Sequence, residues 1–209
     1  MGGLARKATI VNQARDTGKP VFIVDAGDLL FKKNKLTPGI GMDVAKVNAE
    51  TIIEAFNLIG CDGFNVGEND LALGLDYLMD MKSNSTFPYL SANIKNKSGA
   101  FLFKPYNILT RGNLTLGIIG LSSVFESEEV TVADPFESLD KIISFVEEQT
   151  DVIVLLFNAK DQDLARFHQA DYPVDFVIQS KSKRRSSDGG KKDTPVYSCG
   201  SRGKYIYDF

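Results

Sequence analysis

One histidine and two cysteines in 209 residues leave little soft-ligand chemistry to this chain. Zinc and di-iron centres draw on several imidazoles or thiolates. Here there is a single imidazole, His168, and no zinc-ligand spacing between Cys61 and Cys199. Two cysteines are also too few for a disulfide framework, so both are expected to be buried thiols unless the fold brings them together. Long apolar runs are missing too: none reaches membrane-spanning length, and the N-terminus has no apolar stretch of the signal-peptide kind. Charge of one sign is not in excess. The net charge of −3 gives no overall basic field to draw the chain to nucleic acid. What remains is ordinary globular composition, 43% apolar and 24% charged, in a length that suits one domain over residues 1–209.

Apolar periodicity predicts the elements. Leu4, Ala8 and Val11 recur at helical spacing and give a helix over 2–17, stopped by Gly18 and Pro20. The run VFIVDA at 21–26 reads as a short strand covered on both faces. A second helix starts at Asp43 on Val44, Val47, Ile52, Ala55, Phe56 and Ile59, and ends at Gly60. A strand at 64–67 leads to a third helix at 71–81, with Asn69 or Asp70 placed to cap it. Strand-like runs follow at 89–94, 101–109 and 114–121, the last two joined by a hairpin turn at Arg111-Gly112-Asn113. Pro135 opens one amphipathic helix over 135–149, with Leu139, Ile142, Ile143 and Val146 on one face. A buried strand at 152–157, a helix at 163–169 and a strand at 174–178 come next. Residues 181–192 read as a cationic loop, and strands at 195–199 and 204–207 close the chain. Strands alternating with helices around an interior hairpin predict a layered α/β fold, whose ligands gather beyond the C-terminal ends of strands.

Those strand ends carry a pattern. Asp25 and Asp28 lie in VDAGDLL, and Glu68, Asn69 and Asp70 in NVGENDLALG. Asn158 and Lys160 follow VIVLLF, and Lys181 and Lys183 follow VDFVIQS. Carboxylates so placed can hold a hard cation through oxygen. Lysines so placed can neutralise them or bind an anion.

These segments resemble, in order and over nearly the whole chain, calcineurin-like metallophosphoesterases of the 5′-nucleotidase type. GGLARKA at 2–8 is similar to the helix start after the family's first metal motif, and VDAGDLL to its Gly-Asp metal loop. NVGENDLALG falls where the Gly-Asn-His-Glu/Asp loop belongs, and VDFVIQSKSK where the family has Gly-His-x-His. The resemblance implies an α/β sandwich of mixed sheets flanked by helices, and a centre of two metals bridged by an aspartate that falls on Asp28. It puts Glu68 at an asparagine ligand and Asn69 at the histidine that stabilises or protonates the reacting phosphate. Asn158, Lys181 and Lys183 stand at later ligand histidines. The Asp-x-His motif and its strand are expected before Gly2.

The expectation is a degenerate member that has lost metal-dependent hydrolysis, needs no cofactor and serves in structure, assembly or binding. The alternative is an active phosphohydrolase with manganese or zinc on Asp28, Glu68, Asp70 and Asp25, completed from outside the chain. A third reading has Lys181, Lys183 and Arg184 holding a phosphate or polyanion without turnover. For Lys181 or Lys183, one reading points an ammonium into the old metal pocket against Asp28 or Glu68, and the other leaves both solvated in the basic loop. The missing strand predicts an open sheet edge, filled by a protein partner, a domain swap or a rearranged terminus. The family implies a periplasmic or extracellular location. His168 is expected on the surface, and the N-x-S/T patterns at Asn84, Asn96 and Asn113 decide nothing by themselves.

Overall fold

The computed structural model describes residues 3–36, 38–181, 185–188 and 194–199, with backbone alone at 185–188 and 199. Helix α1 (Leu4–Asp16) leads to β1 (Val24–Asp25), α2 (Met42–Ile59), β2 (Gly63–Asn65), α3 (Leu75–Ser83) and β3 (Tyr89–Leu90). The short β4 (Ile94–Lys95) precedes a hairpin of β5 (Tyr106–Arg111) and β6 (Leu114–Ser122), and β7 (Thr131–Val132) pairs back on β4. Then come α4 (Pro135–Asp140), α5 (Ile143–Glu147), β8 (Val152–Asn158), α6 (Asp161–Gln169), β9 (Phe176–Ser180), β10 (Arg185–Asp188) and β11 (Val196–Cys199).

Strands β1, β2 and β3 make a parallel sheet in that order. The larger sheet runs β10-β11-β9-β8-β6-β5; β6, β8, β9 and β11 are parallel, and the edges β5 and β10 are antiparallel. Period-two alternation sorts its apolar residues into two layers. Ile119, Leu121, Ile153, Leu155, Phe157 and Val177 pack with Phe136, Leu139, Ile143, Val146 and Phe167 of α4–α6. Their neighbours Leu116, Ile118, Val154 and Leu156 face the other way and meet Ala26 and Leu90 of the smaller sheet. That sheet turns Phe64 and Tyr89 outward onto Ile53, Phe56 and Leu78 of α2 and α3. The result is four layers, helices–sheet–sheet–helices, which is why β6 and β8 are almost continuously apolar.

The structure revises several predicted elements. The 71–81 helix becomes a 3-10 turn, Glu68–Leu71, followed by α3 from Leu75. Gly74 at φ 89° separates them, and the Glu129 carboxylate receives the Leu75 N–H. The 135–149 helix breaks into α4 and α5 at Ile142, whose φ of −126° leaves the helical region. On α2 the buried stripe is Ala45, Ala49, Ile53, Phe56 and Ile59; Val44 and Val47 are exposed on the other side. The 101–109 run enters the ladder only from Tyr106, and the 174–178 strand sits two residues later, at 176–180. Within the predicted cationic loop, 185–188 pairs with β11 as an edge strand. Lys183, Arg184 and the predicted strand at 204–207 lie outside the described residues. Among the described residues no helix is long and apolar enough to cross a membrane. Cys61 is a free, buried thiol, and His168 is exposed on the last turn of α6.

Candidate functional site

The loops after β1, β2, β8 and β9 converge at one end of the two sheets. The β1 loop holds the site's first constraint: Asp28 has φ 58°, the left-handed region that a residue with a Cβ enters at a cost. Asp70, fully buried, holds it there. Its Oδ2 accepts the N–H of Asp28 at 2.9 Å and of Gly67 at 2.8 Å, and its Oδ1 accepts the N–H of Leu30 at 2.9 Å. Asp28 in turn accepts the Asn69 N–H on Oδ1 at 2.9 Å. The close approach needs glycine at 67, since a Cβ there would stand 2.3 Å from Asp28 Oδ1 and 2.8 Å from Asn158 Nδ2.

Two polar links tie this loop to the larger sheet. Asn65 Nδ2 donates to the carbonyls of Ala26 and Leu121 at 3.0 and 2.7 Å. Asn158 Nδ2 donates to Ser180 Oγ at 2.7 Å, and that hydroxyl donates to the Ala26 carbonyl at 2.8 Å. Over them lies an ion pair. Lys181, itself left-handed at φ 69°, places Nζ 2.5 Å from Glu68 Oε2, while Asn34 Nδ2 donates to Glu68 Oε1 at 2.9 Å. Lys160 donates its ammonium to the Val124 carbonyl at 2.7 Å and reaches Glu68 through its charge alone.

The electrostatics divide the site in two. Burial pushes the Asp25, Asp28 and Asp70 carboxyls above the usual range; the charge of Asp28 pushes Asp70 further, and the Asn69 N–H and Lys181 partly offset the rise at Asp28. At Glu68 burial pulls the same way but loses. The hydrogen bond and charge of Lys181, helped by Asn34, hold that carboxyl below its ordinary value.

The structure thus brings Asp28, Glu68, Asn69, Asn158 and Lys181 together, as the sequence pattern placed them. Three partners were not legible. Ser180 was hidden as an ordinary serine, although its place between a strand end and Lys181 was a usable signal. Asn34, in a loop of unremarkable polarity, gave none, and Asn65 reads as a strand residue. Asp70 does receive a capping N–H, from Gly67, but its oxygens serve the loop rather than α3. Three of the roughly four lone-pair sites of the Asp70 carboxylate are thus engaged by backbone N–H groups. Among the described residues no three His, Cys, Asp or Glu side chains gather to hold a metal ion. At Glu68, Oε2 is taken by the Lys181 ammonium, which is acceptor-free and repels a cation. Asn158 Oδ1 is buried with no hydrogen-bond partner among the described residues.

At the opposite end of the sheets, Arg111 makes a two-pronged pair with Asp62, at 2.6 and 2.7 Å, donates to the Val21 carbonyl and lies over the Phe22 ring.

Two packed sheets with acidic loops at their strand ends define a phosphoesterase-like α/β sandwich. No protein-family model matches the chain. Bovine (Bos taurus) 5′-nucleotidase is 33% identical over 161 residues, which cover 68% of this chain and 26% of that protein. Among solved structures, a putative 5′-nucleotidase from Staphylococcus aureus superposes with a TM-score of 0.79 at 22% identity, over 97% of this chain and 44% of its own. The calcineurin-like phosphoesterase YfkN of Bacillus subtilis does so at 0.76 and 21% identity, over 97% of this chain and 74% of its own. The chain belongs to the calcineurin-like metallophosphoesterase superfamily, and within it to the 5′-nucleotidase type. It spans about a quarter of the length of the curated relatives it matches.

Proposed function

We propose that this 5′-nucleotidase-like domain has lost metal-dependent phosphoester hydrolysis and now serves a structural, assembly or binding role. The observation that carries this reading is the Lys181–Glu68 ion pair. A cluster of partly buried carboxylates is costly without a counter-charge, and a divalent cation is the usual remedy in a phosphoesterase centre. Here an ammonium from a side chain lies against one of those carboxylates. The residues around it support the same reading by resemblance to the family. Asn69, at the position of a histidine, presents an amide that cannot deliver a proton at neutral pH. Asn158, at a ligand-histidine position, is engaged with Ser180. Lys181 is committed to Glu68, so it is a weaker candidate for holding a free phosphate than the sequence pattern implied. We place the domain in the periplasm or outside the cell, as the family resemblance implies.

Elemental analysis of protein purified without chelators, repeated after incubation with manganese and with zinc, tests this together with hydrolysis of AMP and p-nitrophenyl phosphate. The expected result is no stoichiometric metal and no turnover above buffer. One metal per chain, removed by Asp28→Ala, with turnover that follows it, would overturn the reading.

A further inference from the structure

At the end of the sheets away from the Lys181–Glu68 pair, a cleft of about 550 Å³ opens between the last turn of α1, the segment 18–21 and the tip of the β5–β6 hairpin. Two turns set its shape. Gly18, at φ 74°, turns the chain back after α1, and Gly112, at φ 61°, makes the hairpin tip. The two walls meet where Pro20 Cγ lies 3.7 Å from the position a Cβ on Gly112 would take. Three cationic side chains, Arg15, Lys19 and Arg111, line the cleft, and among the described residues no carboxylate does.

Two nearby features oppose an anion, and both are already answered. A helix carries partial negative charge on its last carbonyls. Here the Thr17 N–H and Oγ1 donate to the Ala14 carbonyl, and the Gly18 N–H donates to that of Arg15. The Asp62 carboxylate is 9% exposed and paired with Arg111. The cations, by contrast, have donors to spare. A guanidinium has five N–H groups and an ammonium three. Arg111 commits three, to Asp62 and the Val21 carbonyl, and Arg15 commits one, to the Ile59 carbonyl at 2.7 Å. Lys19 is exposed, and its ammonium has no partner among the described residues. The hairpin closes on the Arg111–Leu114 pair, which leaves the Gly112 and Asn113 amides outside the ladder.

We propose that this cleft binds a small multivalent oxyanion of the pyrophosphate kind. The uncommitted groups are N–H donors, which suit a ligand that only accepts. The spread of the cations selects the valence. They come from three segments, α1, the turn at 18–21 and β5, so a ligand needs charge on more than one group to engage them together. A nucleic acid fits less well, because the chain carries a net charge of −3 and the basic groups are confined to one cleft. A bound oxyanion would brace α1 against the hairpin and by mass action stabilise the fold. The proposal stands whether or not the strand-end site binds metal.

The test is calorimetric titration of sodium pyrophosphate into the whole chain at low salt with a chelator present, with amide NMR shifts followed in parallel. The expected result is one pyrophosphate per chain, with the largest shifts at Gly18, Lys19, Gly112 and Asn113. Inorganic phosphate is expected to bind about tenfold more weakly. Lys19→Glu is expected to weaken pyrophosphate by about the same factor while the thermal transition of the ligand-free chain stays in place. Lys181→Met is expected to bind as the native chain does. Shifts centred on Asn69 and Lys181, or binding lost in Lys181→Met and kept in Lys19→Glu, would overturn the proposal. So would the absence of saturable heat, equal affinity for inorganic phosphate, or a glutamate-rich peptide that takes the same amides more tightly than pyrophosphate.

Discussion

Two ion pairs stand at opposite ends of the sheets, and they are built differently. Arg111 grips Asp62 with both prongs of its guanidinium, and it adds a backbone carbonyl and an aromatic face. Asp62 is 9% exposed in that grip. Lys181 meets Glu68 through one ammonium, with side chains 20% and 23% exposed. A planar fork that satisfies several groups at once is a clamp, and its loss is felt in stability. A point charge over carboxylates is a neutraliser, and its loss is felt in what else the site then attracts. The first pair ties β1, β2 and β5 together; the second sets an ammonium against a carboxylate at the strand ends.

The sharpest way to break the comparison lies beneath the second pair. Asp70→Ala would orphan three N–H groups, two buried and one partly buried, and release Asp28 from its left-handed geometry. The expected loss is about 3 kcal/mol or more, read from urea unfolding. Next, Arg111→Ala is expected to cost about 2 kcal/mol by the same measurement, since it strands a mostly buried carboxylate. Arg111→Lys should recover only part of that, because an ammonium cannot reproduce the fork. Lys181→Met should cost less than about 1 kcal/mol, as a half-solvated pair does. If Lys181→Met proved the most damaging of the three, the clamp and the neutraliser would have been assigned the wrong way round.

The smallest effect is in pH. Glu68 is held below its ordinary value of 4.5, so the stabilisation from its pair is present above that value and fades as pH falls through the lower folded one. Asp25, Asp28 and Asp70 act with the opposite sign. Their folded values are raised, so their contribution is complete below the ordinary aspartate value of 3.8 and is lost as pH rises through the folded ones. Unfolding curves of the native chain and of Lys181→Met, taken between pH 3 and pH 7, should differ in the acid-side loss that Glu68 contributes and in a larger loss with rising pH from Asp28, whose rise Lys181 no longer offsets.

The fold was legible because its signals are long-range and redundant. The buried strands 114–121 and 152–157, the hairpin at Arg111-Gly112-Asn113 and the stop at Gly60 each announce themselves in composition and appear in the structure. Element ends were not, because partners distant in sequence set them. Leu75 begins α3 where Glu129 receives its N–H, fifty-four residues away. Residues 21–26 form only a two-residue ladder, Val24–Asp25 against Gly63–Phe64. At the site, the carboxylates and Lys181 stood out by residue type, and the ion pair with Glu68 is one of the two fates foreseen for that lysine. Asn65 and Ser180 lie within the motif segments but carry no charge, and Asn34 lies outside them, so it takes three dimensions to show them bridging the loops. Val44 and Val47 misled for a local reason: their spacing is helical, but the smaller Ala45 and Ala49 are what the sheet-facing side accommodates.

Calorimetric titration of manganese into the native chain at neutral pH, with Asp28→Asn as the reference, tests the central claim most directly. If Lys181 has taken the cation's place, the native chain and the variant give the same heat of dilution and no saturable site. A saturable site of one metal per chain in the native protein, absent from Asp28→Asn, would contradict the account.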